Sequence, residues 1–187
     1  MNNFIFKTSI ENHTEIKKTL LDQIDLIPNN PINTKQCKLY HTDWNLPVDM
    51  HREYKFIFFE AVKKHLNDMT LQLGAPNVEI ANFWFQQYIE NGEHNWHTHG
   101  GCNFSNVYFL ECPKEASTEF KNFEVTCEEG DILSFPGFLP HRSPTIQQGD
   151  RKTIIAFNTN ITFPDTTIKH TIYSRHTRGS HKKNVVF

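Results

Sequence analysis

No apolar run in this chain approaches the ~20 residues that a membrane span requires. Neither sign of charge dominates: 19 basic residues stand against 21 acidic ones, a formal net charge of -2. Outside the C-terminal end no stretch is strongly basic, so neither a nucleic-acid nor a membrane partner is expected. The four cysteines, Cys37, Cys102, Cys112 and Cys127, form no CxxC pair, and the opening MNNFIFKTSI lacks a basic region followed by an apolar one. Free thiols in a reducing compartment follow, hence a soluble, intracellular and cytoplasmic protein without a disulfide framework. Glycine and alanine are sparse while Asn, Lys, Ile and Phe abound, a composition that suits an AT-rich viral or bacterial coding sequence. At 187 residues the chain fits one domain and can bury a core without cross-links.

The first part, 1–76, reads as mainly helical support. In NHTEIKKTLLDQIDLI the residues Ile16, Leu20, Ile24 and Ile27 recur at spacings of three and four, behind Asn12 or Thr14 as a cap. A second helix follows, with Tyr54, Phe58, Val62, Leu66 and Met69 on one stripe and Gly74 as its stop. NFIFK before the first helix predicts a short strand, and the segment from about Pro28 to Pro47 an irregular connection. After Pro76 the pattern changes to β-branched and aromatic runs bounded by turn residues: VEIANFWFQQYIE, NWHTH, NFSNVYFLEC, TEFKNFEVTC, GDILSFP and RKTIIAFNTNITF. This spacing predicts a mainly β fold, a compact antiparallel sandwich or barrel of the jelly-roll sort over 78–163, buttressed by the N-terminal helices. The remainder, 164–187, is a basic, polar extension that reads first as a solvated terminus, with docking through its final Val185, Val186 and Phe187 as the alternative.

HNWHTHGG, residues 94–101, carries the chemistry. On a strand His97 and His99 point to one face, so both rings can converge on one metal ion from a single ladder. A third histidine, His141, lies 42 residues beyond His99 in SFPGFLPHRSP, and ten residues later comes RKTIIAFN, where Arg151, Thr153, Ile155 and Phe157 alternate onto one face. Gly100 and Gly101 suit a turn that needs positive φ or close backbone approach.

This order, H-x-H, then a distal His, then a basic residue ten positions on, resembles the Fe(II)/2-oxoglutarate-dependent dioxygenase superfamily, particularly its small prolyl-4-hydroxylase-like members and related bacterial and phage oxygenases. The resemblance spans roughly 78–163 and includes SNVYFL after the first motif and GDILSFPGFLPH before the distal histidine. It implies a double-stranded β-helix and the cofactors Fe(II), 2-oxoglutarate and O2. His97, His99 and His141 would be the catalytic metal ligands, and Arg151 with Thr153 would grip the distal carboxylate of 2-oxoglutarate. By family position Asn106 and Tyr108, which share a strand face, or Tyr88 would also point towards that co-substrate. The chain departs from the family pattern at His99, where most relatives carry Asp. Three neutral imidazoles lack the carboxylate of the usual facial triad and leave the centre one unit more positive, which a dianionic co-substrate offsets. Were His99 not a ligand, Glu90, Glu93 or Asp131 would have to supply a carboxylate.

The expected activity is hydroxylation of an unactivated C–H bond in a small-molecule or peptidyl substrate, with release of succinate and CO2. Two other readings stay open at this level. Three histidines also suit a catalytic zinc in a hydrolase or hydratase, although nothing in that chemistry requires the basic residue. A cupin-like module could hold a metal or small acid without turnover. Other residues carry plainer expectations: Trp84, Trp96, Phe135, Phe138 and Phe157 as packing, and His94 as either a group orienting a ligand ring or an exposed loop residue. The remaining histidines, including His13, His41, His51, His65, His170, His176 and His181, need no function.

Overall fold

The computed structural model describes residues 4–162; the C-terminal extension lies outside the described residues. Two helices form where the periodicity places them, α1 over His13–Asp25 and α2 over Glu53–Leu73. Helix α2 stops because Gly74 turns left-handed at φ 60°, a conformation open to glycine at little cost, and its N–H returns to the carbonyl of Leu71. The strands are β1 (Phe6–Ser9), β2 (Ile32–Asn33), β3 (Cys37–Leu39), β4 (His41–Thr42), β5 (Val78–Tyr88), β6 (Glu93–His97), β7 (Phe104–Glu111), β8 (Glu119–Phe120), β9 (Asp131–Pro136), β10 (His141–Ser143) and β11 (Lys152–Ile161).

All pairings are antiparallel. One sheet has six strands in the order β1-β9-β7-β11-β5-β4, the other five in the order β2-β3-β6-β10-β8. The segment expected to be irregular, Pro28 to Pro47, thus supplies β2 and β3 to one sheet and β4 to the other; strands of two or three residues are too short to show alternation. TEFKNFEVTC keeps only β8, and the rest is held by the Ser117 hydroxyl, which donates to the Val125 carbonyl and accepts from the Cys127 N–H.

The six-stranded sheet is buried on both faces. Its outer face packs under the helices, where Leu20, Ile24, Tyr54, Phe58 and Val62 meet Phe85, Tyr108, Ile132, Ile155 and Phe157. Its inner face meets the second sheet through Leu39, Trp84, Val107, Phe109, Leu133, Phe135 and Ile154. His65 belongs to the outer layer: its two ring nitrogens pair with the Thr8 and Ser134 hydroxyls, both at 2.7 Å, and burial pushes its pKa down to about 4. It is a core histidine with satisfied hydrogen bonds. Phe135 and Phe157 are fully buried as expected, but Phe138 is 74% exposed and packs nothing, because it sits in the turn after β9. All four cysteines are free, and among the described residues no helix is long and apolar enough to cross a membrane.

Phe58 joins the helix layer to three rings, Phe83, Tyr108 and Phe157. Phe58→Ala is therefore expected to cost about 3–5 kcal/mol in urea unfolding. Phe138→Ala should stay within about 0.5 kcal/mol of the parent.

Candidate metal and dicarboxylate site

Strands β6 and β10 pair so that His97 lies directly opposite His141. Two imidazoles distant in sequence become cross-strand neighbours, their ring centroids 4.2 Å apart. His99 arrives differently. Strand β6 ends at His97, so His99 lies beyond the ladder rather than on it, and its backbone N–H is held by the Gly137 carbonyl at 2.8 Å. A Cβ on Gly137 would meet the Cys102 sulfur at 2.8 Å and the His99 carbonyl at 3.1 Å, so this close approach requires glycine. Gly101 makes the turn that follows, before β7, at φ 82°.

The three rings each offer a ligand nitrogen within 4.8 Å of the other two, and they form the one such His/Cys/Asp/Glu cluster among the described residues. In all three, Nδ1 faces an acceptor: the Asn95 carbonyl for His97 (2.8 Å), the Leu139 carbonyl for His141 (2.9 Å) and Asn158 Oδ1 for His99 (2.7 Å). An imidazole that donates through Nδ1 keeps the lone pair on Nε2, the form that binds a metal. Burial lowers the pKa of each ring, to about 3 for His141, where the neighbouring His97 lowers it further. Near neutral pH the site therefore presents three neutral donors. His94 is no exposed loop residue: it stacks flat on His97 with centroids 3.8 Å apart and planes 11° from parallel.

Beside the rings lies a small pocket of about 30 Å³ whose walls include Tyr88, Ser143 and Lys152. Lys152 is wholly buried; its ammonium donates to Ser143 Oγ at 2.8 Å and lies over the Tyr88 and Phe109 rings. No carboxylate among the described residues pairs with it, and burial pushes its pKa down to about 8, against partial opposition from Cys112, Cys127 and Glu119. A cation in this position is costly unless an anion joins it. The pocket meets an open groove of about 510 Å³ whose lining carries no Asp, Glu, Lys or Arg. Pocket and groove share Trp84, Gln86, His94, His97 and His99. The Trp84 indole N–H is buried without a partner, and its ring meets Trp44 edge-on at 4.2 Å.

Solved structures with this arrangement of strands are known. A 2OG-Fe(II) oxygenase family oxidoreductase from Burkholderia pseudomallei matches with a TM-score of 0.64 at 9% identity, covering 84% of this chain and 86% of that one. The viral collagen prolyl hydroxylase of Paramecium bursaria Chlorella virus-1, in complex with 2-oxoglutarate, matches at 0.57 and 14% identity, covering 83% and 95%. HygX from Streptomyces hygroscopicus, with nickel, 2-oxoglutarate and hygromycin B bound, matches at 0.57 and 11%, covering 85% and 83%. The chain has the fold of the 2OG-Fe(II) oxygenases. No family model matches the sequence, and neither does any curated protein.

The metal and co-substrate that such a fold implies are compatible with the residues present. Three imidazoles are held in the tautomer that frees Nε2, and a buried ammonium without a carboxylate stands in the adjoining pocket.

The 2OG-oxygenase fold places some of the expected residues elsewhere. Arg151 and Thr153 do not enter the pocket. Arg151 has a side chain 45% exposed and pairs with Glu111 at 2.6 Å, and Thr153 donates to the other oxygen of the same carboxylate at 2.5 Å. The physical reason is that Ile155 and Phe157, on their face of β11, go under the helices, so the opposite face carrying Lys152, Ile154, Ala156 and Asn158 lines the site. Tyr108 and Asn106 also face outward: the Tyr108 hydroxyl meets His13 Nδ1 at 2.6 Å, and the Asn106 amide donates to the Phe157 carbonyl and the Thr159 hydroxyl. Of the three further candidates only Tyr88 lines the pocket, with its hydroxyl donating to Gln86 Oε1 at 2.8 Å. The carboxylates considered as substitutes for His99 are engaged or remote. Asp131 holds Lys7 and Ser9, Glu93 holds Lys38 and Thr145, and Glu90 is exposed. Sequence reasoning singled out neither Lys152 nor Asn158, which line the pocket and the groove from the face of β11 they share with Ile154 and Ala156, and the small or polar positions 156 and 158 were the available signal.

Because the folded protein holds the Lys152 proton more weakly than the unfolded chain, stability of the ligand-free protein should rise with pH. The gain begins near pH 8 and ends near the ordinary lysine value of 10.5. Urea unfolding across that window should show a gain on the order of 3 kcal/mol from this group. Lys152→Met should be more stable than the parent at pH 7 and should lack that increment; an identical rise in the variant would rule the assignment out.

Proposed function

We propose that this protein is an Fe(II)- and 2-oxoglutarate-dependent oxygenase that hydroxylates an unactivated C–H bond, and that its two facing sheets are the double-stranded β-helix of that family. His97, His99 and His141 hold the iron through Nε2, and Lys152 receives the distal carboxylate of 2-oxoglutarate. The observation that carries the reading is the pairing of a three-imidazole donor set with a buried ammonium that no carboxylate of the described chain neutralises. A hydrolytic zinc site would have no use for that ammonium.

When bound, the iron and 2-oxoglutarate supply oxidative decarboxylation to succinate and CO2, coupled to hydroxylation of the substrate. The chain's own residues do the positioning. Lys152, steadied by Ser143, would fix the far end of the keto acid so that its reactive end reaches the histidines. The dianion also balances a centre that three neutral ligands leave more positive than the usual facial triad. The Tyr88 and Phe109 rings keep water from the ammonium, which strengthens its hold on a carboxylate. The substrate would lie in the groove beside His97 and His99, against Trp84 and Trp44, with an uncharged portion next to the metal because the lining offers no charge to pair. Neighbours of the same fold include a collagen prolyl hydroxylase and a protein bound to hygromycin B, so fold alone does not choose between a peptidyl and a small-molecule substrate.

Anaerobic addition of Fe(II) and 2-oxoglutarate should produce a weak visible charge-transfer band that disappears in His97→Ala and His141→Ala and survives in His99→Asp. Lys152→Met should raise the 2-oxoglutarate needed for half the signal at least tenfold, about 1.4 kcal/mol. Arg151→Ala should leave it within about threefold, in keeping with a surface pair. Tight zinc with no band, and no succinate formed in air, would refute the oxygenase.

A further inference from the structure

The three imidazoles are not oriented by the same means. His97 and His141 each turn Nδ1 to a backbone carbonyl two residues earlier, so the local backbone fixes them. His99 lies past the end of β6 and has no such carbonyl. Its Nδ1 meets side chains only, Asn158 Oδ1 at 2.7 Å and, far more weakly, Ser105 Oγ at 3.4 Å. Asn158 is in turn oriented, since its Nδ2 donates to Asn82 Oδ1 at 2.9 Å, which leaves the oxygen for His99. Asn158 and Asn82 face each other in the β11-β5 register, and the register slips immediately afterwards, Thr159 pairing with Ile80. Irregularities of this kind re-aim side chains beside functional sites.

We propose that Asn158 is the positioning residue that makes His99 a metal ligand, and that Asn82 holds it in register from the wall of the substrate groove. The proposal rests on the reading of the three histidines as a metal centre. Without the amide oxygen, the His99 ring is free to rotate and to carry its proton on Nε2, where it cannot bind. The pair takes the place that a carboxylate ligand's rigidity fills in an H-x-D site, and it does so without adding charge.

The test is an anaerobic titration of the metal-free protein with Co(II), read from the visible absorption of the bound ion, in parent, Asn158→Ala, Asn158→Asp, Asn82→Ala and His97→Ala proteins. Thermal unfolding of each metal-free form shows that it is folded. Asn158→Ala should bind Co(II) about 10–100-fold more weakly. Asn158→Asp, which keeps an acceptor oxygen, should recover affinity to within a few-fold of the parent, and Asn82→Ala should fall between. A general packing role would lower the melting temperature of Asn158→Ala without moving the metal affinity, and that result overturns the proposal. So does an Asn158→Asp protein as weak as Asn158→Ala. Should the parent and His97→Ala be equally poor binders, the metal centre itself is wrong and the positioning role falls with it. Weak binding in His97→Ala together with parent-like binding in Asn158→Ala would remove only the positioning role.

Discussion

Strand β11 has to satisfy two cores at once. It runs between β5 and β7 in the middle of the six-stranded sheet, with helices against one face and the second sheet against the other. Side chains on a strand alternate strictly, so a single choice of phase commits every residue on it. Ile155 and Phe157 are taken by the helix layer, and the consequence is that Lys152, Ile154, Ala156 and Asn158 face the histidines. The buried cation, the amide that orients His99 and the small residue between them all follow from that commitment.

Electrostatics then defines what the site can accept. Three desolvated imidazoles are neutral near physiological pH, and of the two cations lining the small pocket, Arg142 is paired with Glu119 while the Lys152 ammonium has no carboxylate partner among the described residues. An added divalent cation would make the region strongly positive, a state that a low-dielectric interior tolerates only with an anionic ligand present. A metal and a dicarboxylate would thus be complementary guests. The adjoining groove, free of ionised side chains, is suited to a group that brings no charge of its own.

How far could this be read without coordinates? Tyr54, Phe58, Val62 and Met69 announced α2, and Gly74 its end, since helical periodicity and a left-handed stop are local properties. The spacing of His97, His99, His141 and a basic residue carried the site, because antiparallel strands return distant positions to one place. The basic residue of β11 that lines the pocket is Lys152, one position beyond Arg151. Arg151 and Thr153 look like a carboxylate clamp in sequence, and they do clamp one, but it is the protein's own Glu111. Alternation is visible in RKTIIAFN; which of its two faces meets the helices is not, because both carry apolar residues. The same ambiguity turned Tyr108 and Asn106 outward, and strands as short as β2, β3 and β4 left no pattern to read.

The two helices, the longer strands and the absence of a disulfide framework were legible in the chain alone, as was a motif of three histidines followed by a basic residue, since these depend on residue type and spacing along the chain. Only the tertiary structure decided that His97 stands across from His141, that Lys152 and not Arg151 enters the pocket, and that Asn158 reaches His99. Those outcomes depend on strand register and on competition between two cores for the faces of one strand, and both are set by residues far away in the chain.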